Sequence, residues 1–310
     1  MAAEATLSGS LSVHVRVPAT SANLGPGFDA LGLALALYNE VTAQESGTVT
    51  VAVRGEGAGR LPANEHNVVA RGVQLAYEAA GRPFKGCALT CVNRIPPARG
   101  LGSSAAAWVG GLVAGNALLG EPLSREALLA LAARVEGHPD NVAAALLGGL
   151  TVSSGRADGR VTAIALPVPA TVRWVVLVPS VTSATAEARA VLPDSVPRKD
   201  AVFNVQRVSL LLAGLQTGRL DVLEGALDDR LHQPYRLRLF PWMPAVADAA
   251  RRAGALGCVL SGAGPSLLAA VTDEAEAVAR AMEAALRTAG IEGRASALAV
   301  DTEGAVSRLL

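Results

Sequence analysis

Apolar and polar residues alternate from Leu11 to Val17, the two-residue period of a half-buried strand. Leu31–Tyr38 and Thr48–Val53 predict two more strands, with a turn at Gly55–Gly59. The period then lengthens. Asn64–Ala80 has helical spacing and meets a stop at Gly81. Cys87–Asn93 returns to a strand pattern, and Pro96 with Pro97 bars a helix directly after it. A loop over Gly100–Ser104 leads into a small-residue helix, Ala105–Leu119, closed by Gly120. Ser124 is placed to cap a helix running to Val135, and Pro139 opens a shorter one that ends at Gly148-Gly149. The stretch Arg156–Pro169 is rich in turn residues and proline and predicts no element of its own. Val172–Val178 is a dense β-branched strand. Helices follow near residues 184–191, 201–217 and 243–253. Val259 and Leu267–Val271 are strand residues flanking a glycine turn. Asp273 with Glu276 has capping-box spacing before a last helix, and Ser296–Val300 reads as a closing strand. Strands and helices alternate without βαβ regularity, so the expectation is an α+β protein rather than a doubly wound sheet. The proline-bearing stretch suggests two domains, 1–165 and 166–310.

Composition narrows the function. Half of the 310 residues are apolar but only 3% are aromatic, so the core must be built from Ala, Val and Leu. The 27 basic residues balance 27 acidic ones, which gives no electrostatic reason to expect nucleic acid or a membrane surface as partner. Lys85 and Lys199 are the only lysines. Cys87, Cys91 and Cys258 are too few and odd in number for a disulfide framework, and no His stands near the first two, so buried thiols are expected. The N-terminus lacks a basic segment followed by an apolar run, and the most apolar stretch, Ala105–Leu119, is too short to span a bilayer. A cytoplasmic, reducing setting fits these features.

The candidate chemistry sits in Pro96-Pro97-Ala98-Arg99-Gly100-Leu101-Gly102-Ser103-Ser104-Ala105-Ala106. Two glycines allow a ligand close to the backbone, two serines supply hydroxyls, and a helix head offers free N–H groups and a positive dipole end. A structural turn is one reading. A dinucleotide loop is another, since Gly100, Gly102 and Ala105 satisfy a loose G-x-G-x-x-A, but no strand runs directly into the first glycine and no acid ends a following strand. A nucleotide triphosphate loop is the third. It is not of the Walker type, because no Gly-Lys-Ser/Thr occurs in the chain, so phosphate charge would be met by main-chain N–H groups, hydroxyls and a metal.

Pro-x-x-x-Gly-Leu-Gly-Ser-Ser-Ala resembles the nucleotide motif of the GHMP kinases. Two further segments agree in order: Pro18-Ala19-Thr20-Ser21-Ala22-Asn23-Leu24-Gly25-Pro26-Gly27-Phe28-Asp29, and Ser261-Gly262-Ala263-Gly264-Pro265-Ser266, which resembles the family's C-terminal glycine loop. The first of these, and Glu136-Gly137-His138-Pro139-Asp140-Asn141, are similar to segments of the family's homoserine kinases. The resemblance runs from Val17 to Val271 at least. It implies a two-domain fold, ribosomal-protein-S5-like at the N-terminus and ferredoxin-like at the C-terminus. The implied activity is ATP- and Mg2+-dependent phosphorylation of an amino-acid alcohol, L-homoserine, and a homodimer is implied by resemblance alone.

The resemblance places residues 96–106 with Gly262 and Gly264 around ATP. It places Asn23, Asp29, His138, Asn141, Thr185, Arg189 and Arg236 around the acceptor, and Ser104 (or Ser103) with Glu136 at the magnesium. Asn141, Ser104 and Glu136 are the residues expected to act in transfer. His138 with Asn141, and Thr185 with Arg189, have spacings that would share a helix face. By side-chain chemistry Asp29 is the natural partner of an ammonium, and Arg189 and Arg236 of a carboxylate. Such a pairing suits an amino acid better than a neutral sugar. Asn141 stands where a base would be sought and no lysine is near, so transfer is expected to proceed in line without a strong general base.

Overall fold

The computed structural model describes residues 11–310. Seven strands form the first sheet: β1 (Ser12–Ala22), β2 (Leu31–Glu45), β3 (Thr50–Gly55), β4 (Cys87–Asn93), β5 (Leu150–Gly155), β6 (Val161–Leu166) and β11 (Val306–Leu309). Their order is β11-β1-β2-β4-β3, with β5 pairing the start of β2 and β6 pairing β5. All neighbours are antiparallel except β3 and β4, which the helix α1 (Val68–Ala79) connects as parallel strands. The other helices of this half are α2 (Ser103–Leu118), α3 (Arg125–Glu136) and α4 (Asp140–Leu147).

The second sheet holds β7 (Arg173–Pro179), β8 (Gly257–Leu260), β9 (Leu267–Val271) and β10 (Gly293–Leu298) in the antiparallel order β10-β7-β9-β8. Between β7 and β8 lie α5 (Thr185–Ala190), α6 (Arg198–Thr217), α7 (Leu223–Ala226), α8 (Gln233–Arg236) and α9 (Met243–Arg252). The last helix, α10 (Ala275–Thr288), joins β9 to β10. Fourth-first-third-second is the ferredoxin-like order expected. Because β7 is covered on both sides, its run from Trp174 to Val178 is apolar: Trp174 and Val176 enter the core shared with the first half, while Val175 and Leu177 belong to a second core with residues of α9 and α10.

Helix α2 explains why the first half is rich in small residues. Apart from its first two residues and Ala107 it is buried along its whole length, wedged between α1, α3, α4 and the first sheet. A Cβ at Gly111 would overlap the Val69 carbonyl of α1, so only glycine permits this approach. The long axis of α2 is thus fixed, and its N-terminus is held at the seam between the two sheets.

The structure departs from expectation in particular places. Residues 161–166 form β6, a strand of alternating exposure inside the stretch read as turns. Helix α10 is capped by Glu274 in a left-handed conformation with no side-chain hydrogen bond, so the Asp273–Glu276 capping box is not formed. Helix α2 begins at Ser103, two residues early, which puts both serines in its first turn. The final strand β11 returns to pair with β1 of the first sheet. A division at 165/166 stays our proposal for where the two halves of the chain separate.

Candidate active site

The loop before α2 is shaped by contacts from three directions. Gly102, the N-cap residue, has φ 67° and makes no side-chain cap, which leaves the first-turn N–H groups of α2 without a capping side chain. A Cβ there would overlap the Thr20 hydroxyl. Thr20 receives the loop through its backbone N–H, which donates to the Leu101 carbonyl at 3.1 Å. The 261–266 loop closes the other side: Ser261 Oγ donates to the Gly100 carbonyl at 2.7 Å, and Ser266 N–H donates to the Arg99 carbonyl at 3.2 Å. The Arg99 guanidinium is turned away, donating to the carbonyls of Pro179 (2.7 Å) and Ser180 (2.8 Å). It latches the loop to the end of β7, so any ATP contact of Arg99 falls to its backbone.

Two clefts meet at this loop. One is polar and is lined by Gly100, Leu101, Gly102, Gly262 and the charged residues described below. The other is mainly apolar and is lined by Leu61, Val68, Val69, Pro97, Ala106 and Ala107 among others. Ala98, Ser103 and Ser104 line both. Pro96 and Ala105 line neither, and Ala105 is buried in the core. Gly264 also lies off the polar cleft, against Phe240.

The charged wall of the polar cleft is assembled across the chain. Asp29 has φ 56°, and its backbone N–H donates to Asn23 Oδ1 at 3.0 Å. Asn23 Nδ2 donates to the Gly262 carbonyl at 3.0 Å. Asn23 is thereby spent on holding the Asp29 turn against the glycine loop. Arg189 from α5 meets the Asp29 carboxylate with both terminal nitrogens, at 2.6 and 3.1 Å, and this hydrogen bonding raises the arginine's pKa. Arg236 in α8 is almost fully buried. It donates to the Ala188 carbonyl (3.1 Å), the Gly262 carbonyl (2.9 Å) and His232 Nδ1 (3.0 Å). Burial, with repulsion from Arg189 second, lowers its pKa to about 10, still charged at neutral pH. Thr185, the first residue of α5, completes this side of the cleft.

Opposite stand the head of α2, the end of α3 and the residues that lead into α4. Ser104 Oγ donates to Glu136 Oε2 at 2.8 Å. Burial raises the Glu136 pKa above the usual carboxylate range, with the Ser104 hydrogen bond opposing. Asn141 Oδ1 accepts the Thr20 hydroxyl at 2.8 Å. His138 precedes α4 rather than sharing its face, since Pro139 is the cap residue. Its Nδ1 donates to Asp140 Oδ1 at 3.0 Å, and that hydrogen bond raises the His138 pKa despite burial.

Asp140 is the chief residue that sequence reading passed over. It is buried, lines the cleft, and its Oδ1 also accepts the Asn141 backbone N–H at 2.7 Å. Its place in the quoted Glu136–Asn141 motif was the available signal. Ser183, also in the lining, was missed because nothing in its sequence neighbourhood marks it.

The two oxygen donors Ser104 and Glu136, side by side at a helix head, suit a hard cation such as Mg2+. That ion keeps several waters and takes phosphate oxygens as its other ligands. Among the described residues no group of three or more His, Cys, Asp or Glu could hold a metal alone. Cys87 and Cys91 are buried free thiols whose pKa values burial pushes up to about 11 and about 12. Among the described residues, no helix is long and apolar enough to cross a membrane.

Comparison with known proteins agrees with this geometry. Residues 67–149 match the family described as GHMP kinases N terminal domain, and residues 211–288 match GHMP kinases C terminal. The homoserine kinase of Moorella thermoacetica is 47% identical over 292 residues, covering 94% of this chain and 98% of the relative. That of Carboxydothermus hydrogenoformans is 45% identical over 295 residues, covering 95% and 96%. The crystal structure of homoserine kinase from Cytophaga hutchinsonii superposes with a TM-score of 0.87 at 32% identity, covering 99% of this chain and all of that one. Full-length similarity of this degree leads to one assignment: the chain belongs to the GHMP kinases, in their homoserine kinase family.

Proposed function

We propose that this protein transfers the γ-phosphoryl group of ATP to the side-chain hydroxyl of L-homoserine, giving O-phospho-L-homoserine and ADP, a step toward threonine. The observation that carries the reading is the meeting of two unlike clefts at residues 98–104. A purine base suits the apolar cleft, the triphosphate suits the N–H groups at the head of α2, and a zwitterion suits the polar cleft.

Within the polar cleft the substrate ammonium would be met by Asp29 and its carboxylate by Arg189 and Arg236. The Asp29–Arg189 pair has the same charge complementarity as the substrate itself. An ammonium and a carboxylate can enter that pair as two further members without leaving an unpaired charge. Asn141, anchored by Thr20 and Asp140, would direct the substrate hydroxyl toward the γ-phosphate. His138 would border the same substrate, with Thr185. Mg2+, held by Ser104 and Glu136, would neutralise charge on the β- and γ-phosphates. Asn141 carries an amide, which takes no proton, and neither lysine lines the polar cleft. This supports in-line transfer carried by alignment and charge neutralisation rather than by proton abstraction. Buried free thiols support a reducing, cytoplasmic setting. A homodimer belongs to the same reading, and light scattering tests it.

The experiment is ADP release with homoserine, mevalonate, galactose and shikimate in parallel. Activity confined to homoserine supports the proposal. Preference for mevalonate or galactose would overturn it, because neither carries the ammonium that Asp29 is assigned to meet.

A further inference from the structure

His232 is wholly buried, touches no cleft, and yet both of its ring nitrogens are spoken for. Nε2 lies 2.8 Å from the Gly25 carbonyl, and Nδ1 lies 3.0 Å from Arg236 Nη1. A carbonyl only accepts and a guanidinium only donates, so the hydrogen must sit on Nε2 and the lone pair on Nδ1. The ring is neutral and in one tautomer. Burial lowers its pKa to about 4, with the nearby Arg236 charge working in the same direction and Asp229 against it.

The backbone around the ring is fixed as firmly. The buried Asp229 carboxylate accepts the N–H groups of Leu231 (2.9 Å), His232 (3.0 Å) and Gln233 (2.7 Å), and the side chain of Asn204 (2.7 Å). The His232 ring stacks on Phe28, with centroids 5.2 Å apart. Phe28 in turn lies 5.6 Å from both Arg189 and Arg236. Gly25, Phe28 and Asp29 belong to one turn of the first motif. One imidazole thus spans from the segment that carries the ammonium partner to the arginine assigned to the carboxylate.

We propose that His232 is a positioning residue for substrate recognition: its Nδ1 lone pair aims the Arg236 guanidinium, and its Nε2–H sets that arginine's distance from the Asp29 turn. The inference rests on the reading of Arg236 as a carboxylate partner. It predicts that His232 matters only for ligands that possess the carboxylate.

Two substitutions separate the ring nitrogens. Asparagine places an acceptor near the Nδ1 position, and glutamine places a donor near the Nε2 position. The measurement is KM for homoserine beside the inhibition constant of 3-aminopropan-1-ol, which is homoserine without its carboxylate. His232→Gln should raise the homoserine KM about tenfold or more, the loss of one charge-assisted hydrogen bond. It should leave the 3-aminopropan-1-ol constant within about twofold, since that ligand does not meet Arg236. His232→Asn should recover most of the homoserine KM. Equal loss for both ligands, or equal loss in both variants, would overturn the positioning role.

Wild-type enzyme that binds the two ligands equally would instead remove the carboxylate reading beneath it. A measurement on the unaltered protein guards against unfolded variants: the 15N shifts of His232 at about pH 7 should report the neutral Nε2–H tautomer. A protonated ring, or the hydrogen on Nδ1, would refute the proposal.

Discussion

Gly102 and Gly120 stand at opposite ends of α2, and alanine at each should give very different results. Both have positive φ, 67° and 77°, so an alanine at either costs about 1–2 kcal/mol of backbone strain. At Gly120 the new methyl meets nothing within 4 Å, and the cost ends there. At Gly102 it would overlap the Thr20 hydroxyl, stand 3.2 Å from Thr20 Cβ and 3.3 Å from Asn141 Oδ1. Thr20 is fully buried, so it yields only by repacking, a further cost of about 1–3 kcal/mol. The sum for Gly102→Ala is about 2–5 kcal/mol. Any shift of Thr20 also drags Asn141 through their 2.8 Å hydrogen bond. A displacement of about 1 Å at a reacting group can lower the rate roughly 100-fold. Urea unfolding measures the first effect, and ADP release at saturating substrates measures the second. Gly120→Ala should lose about 1–2 kcal/mol and keep its turnover. Should Gly102→Ala match Gly120→Ala in both assays, the loop is not held by Thr20 and the link to Asn141 is wrong.

Arg236→Ala removes a charge-assisted contact of about 1.5–3 kcal/mol, so the homoserine KM should rise roughly 10- to 150-fold; an unchanged KM places the substrate carboxylate elsewhere. Glu136→Ala should lower kcat and move the magnesium titration to higher concentration, whereas a wild-type titration would count against Glu136 as a ligand. His138 has a raised pKa, its cation being favoured by Asp140. The stability it contributes is therefore fully present below its ordinary value of about 6.5 and is lost as pH rises through the raised one. The unfolding midpoint of the wild type should exceed that of His138→Gln most in mild acid, with the gap closing toward alkaline pH; a gap that widens would reverse the sign of the pairing.

What the chain disclosed in advance follows physical range. The loop before α2 was readable because its requirements are local: prolines that bar a helix, glycines that tolerate positive φ, and small residues after them. The strand β4 was readable for the same reason, its bounds matching the period of Cys87–Asn93. The Asp29–Arg189 pair joins residues 160 apart, and no local pattern shows that an ammonium partner and a carboxylate partner will meet each other. The apolar cleft joins Pro97, Ala98 and Ala106, which lie in the motif quoted above, to Leu61, Val68 and Val69 from separate segments, which no local pattern ties to a ligand. His232 carries no local signal, because its ring meets the Gly25 carbonyl, which lies 207 positions away. The capping box failed at Asp273 because Glu274 itself takes the left-handed cap position, a choice that spacing alone does not reveal.

The central claim concerns where the triphosphate lies, and a crystal grown with a non-hydrolysable ATP analogue, magnesium and homoserine addresses it directly. The account places the β- and γ-phosphates within hydrogen-bonding reach of the N–H groups at residues 102–105, the metal between them and Ser104 with Glu136, and the homoserine hydroxyl facing the γ-phosphorus from beside Asn141. Phosphates bound away from the head of α2, or homoserine bound outside the cleft of Asp29, Arg189 and Arg236, would contradict it.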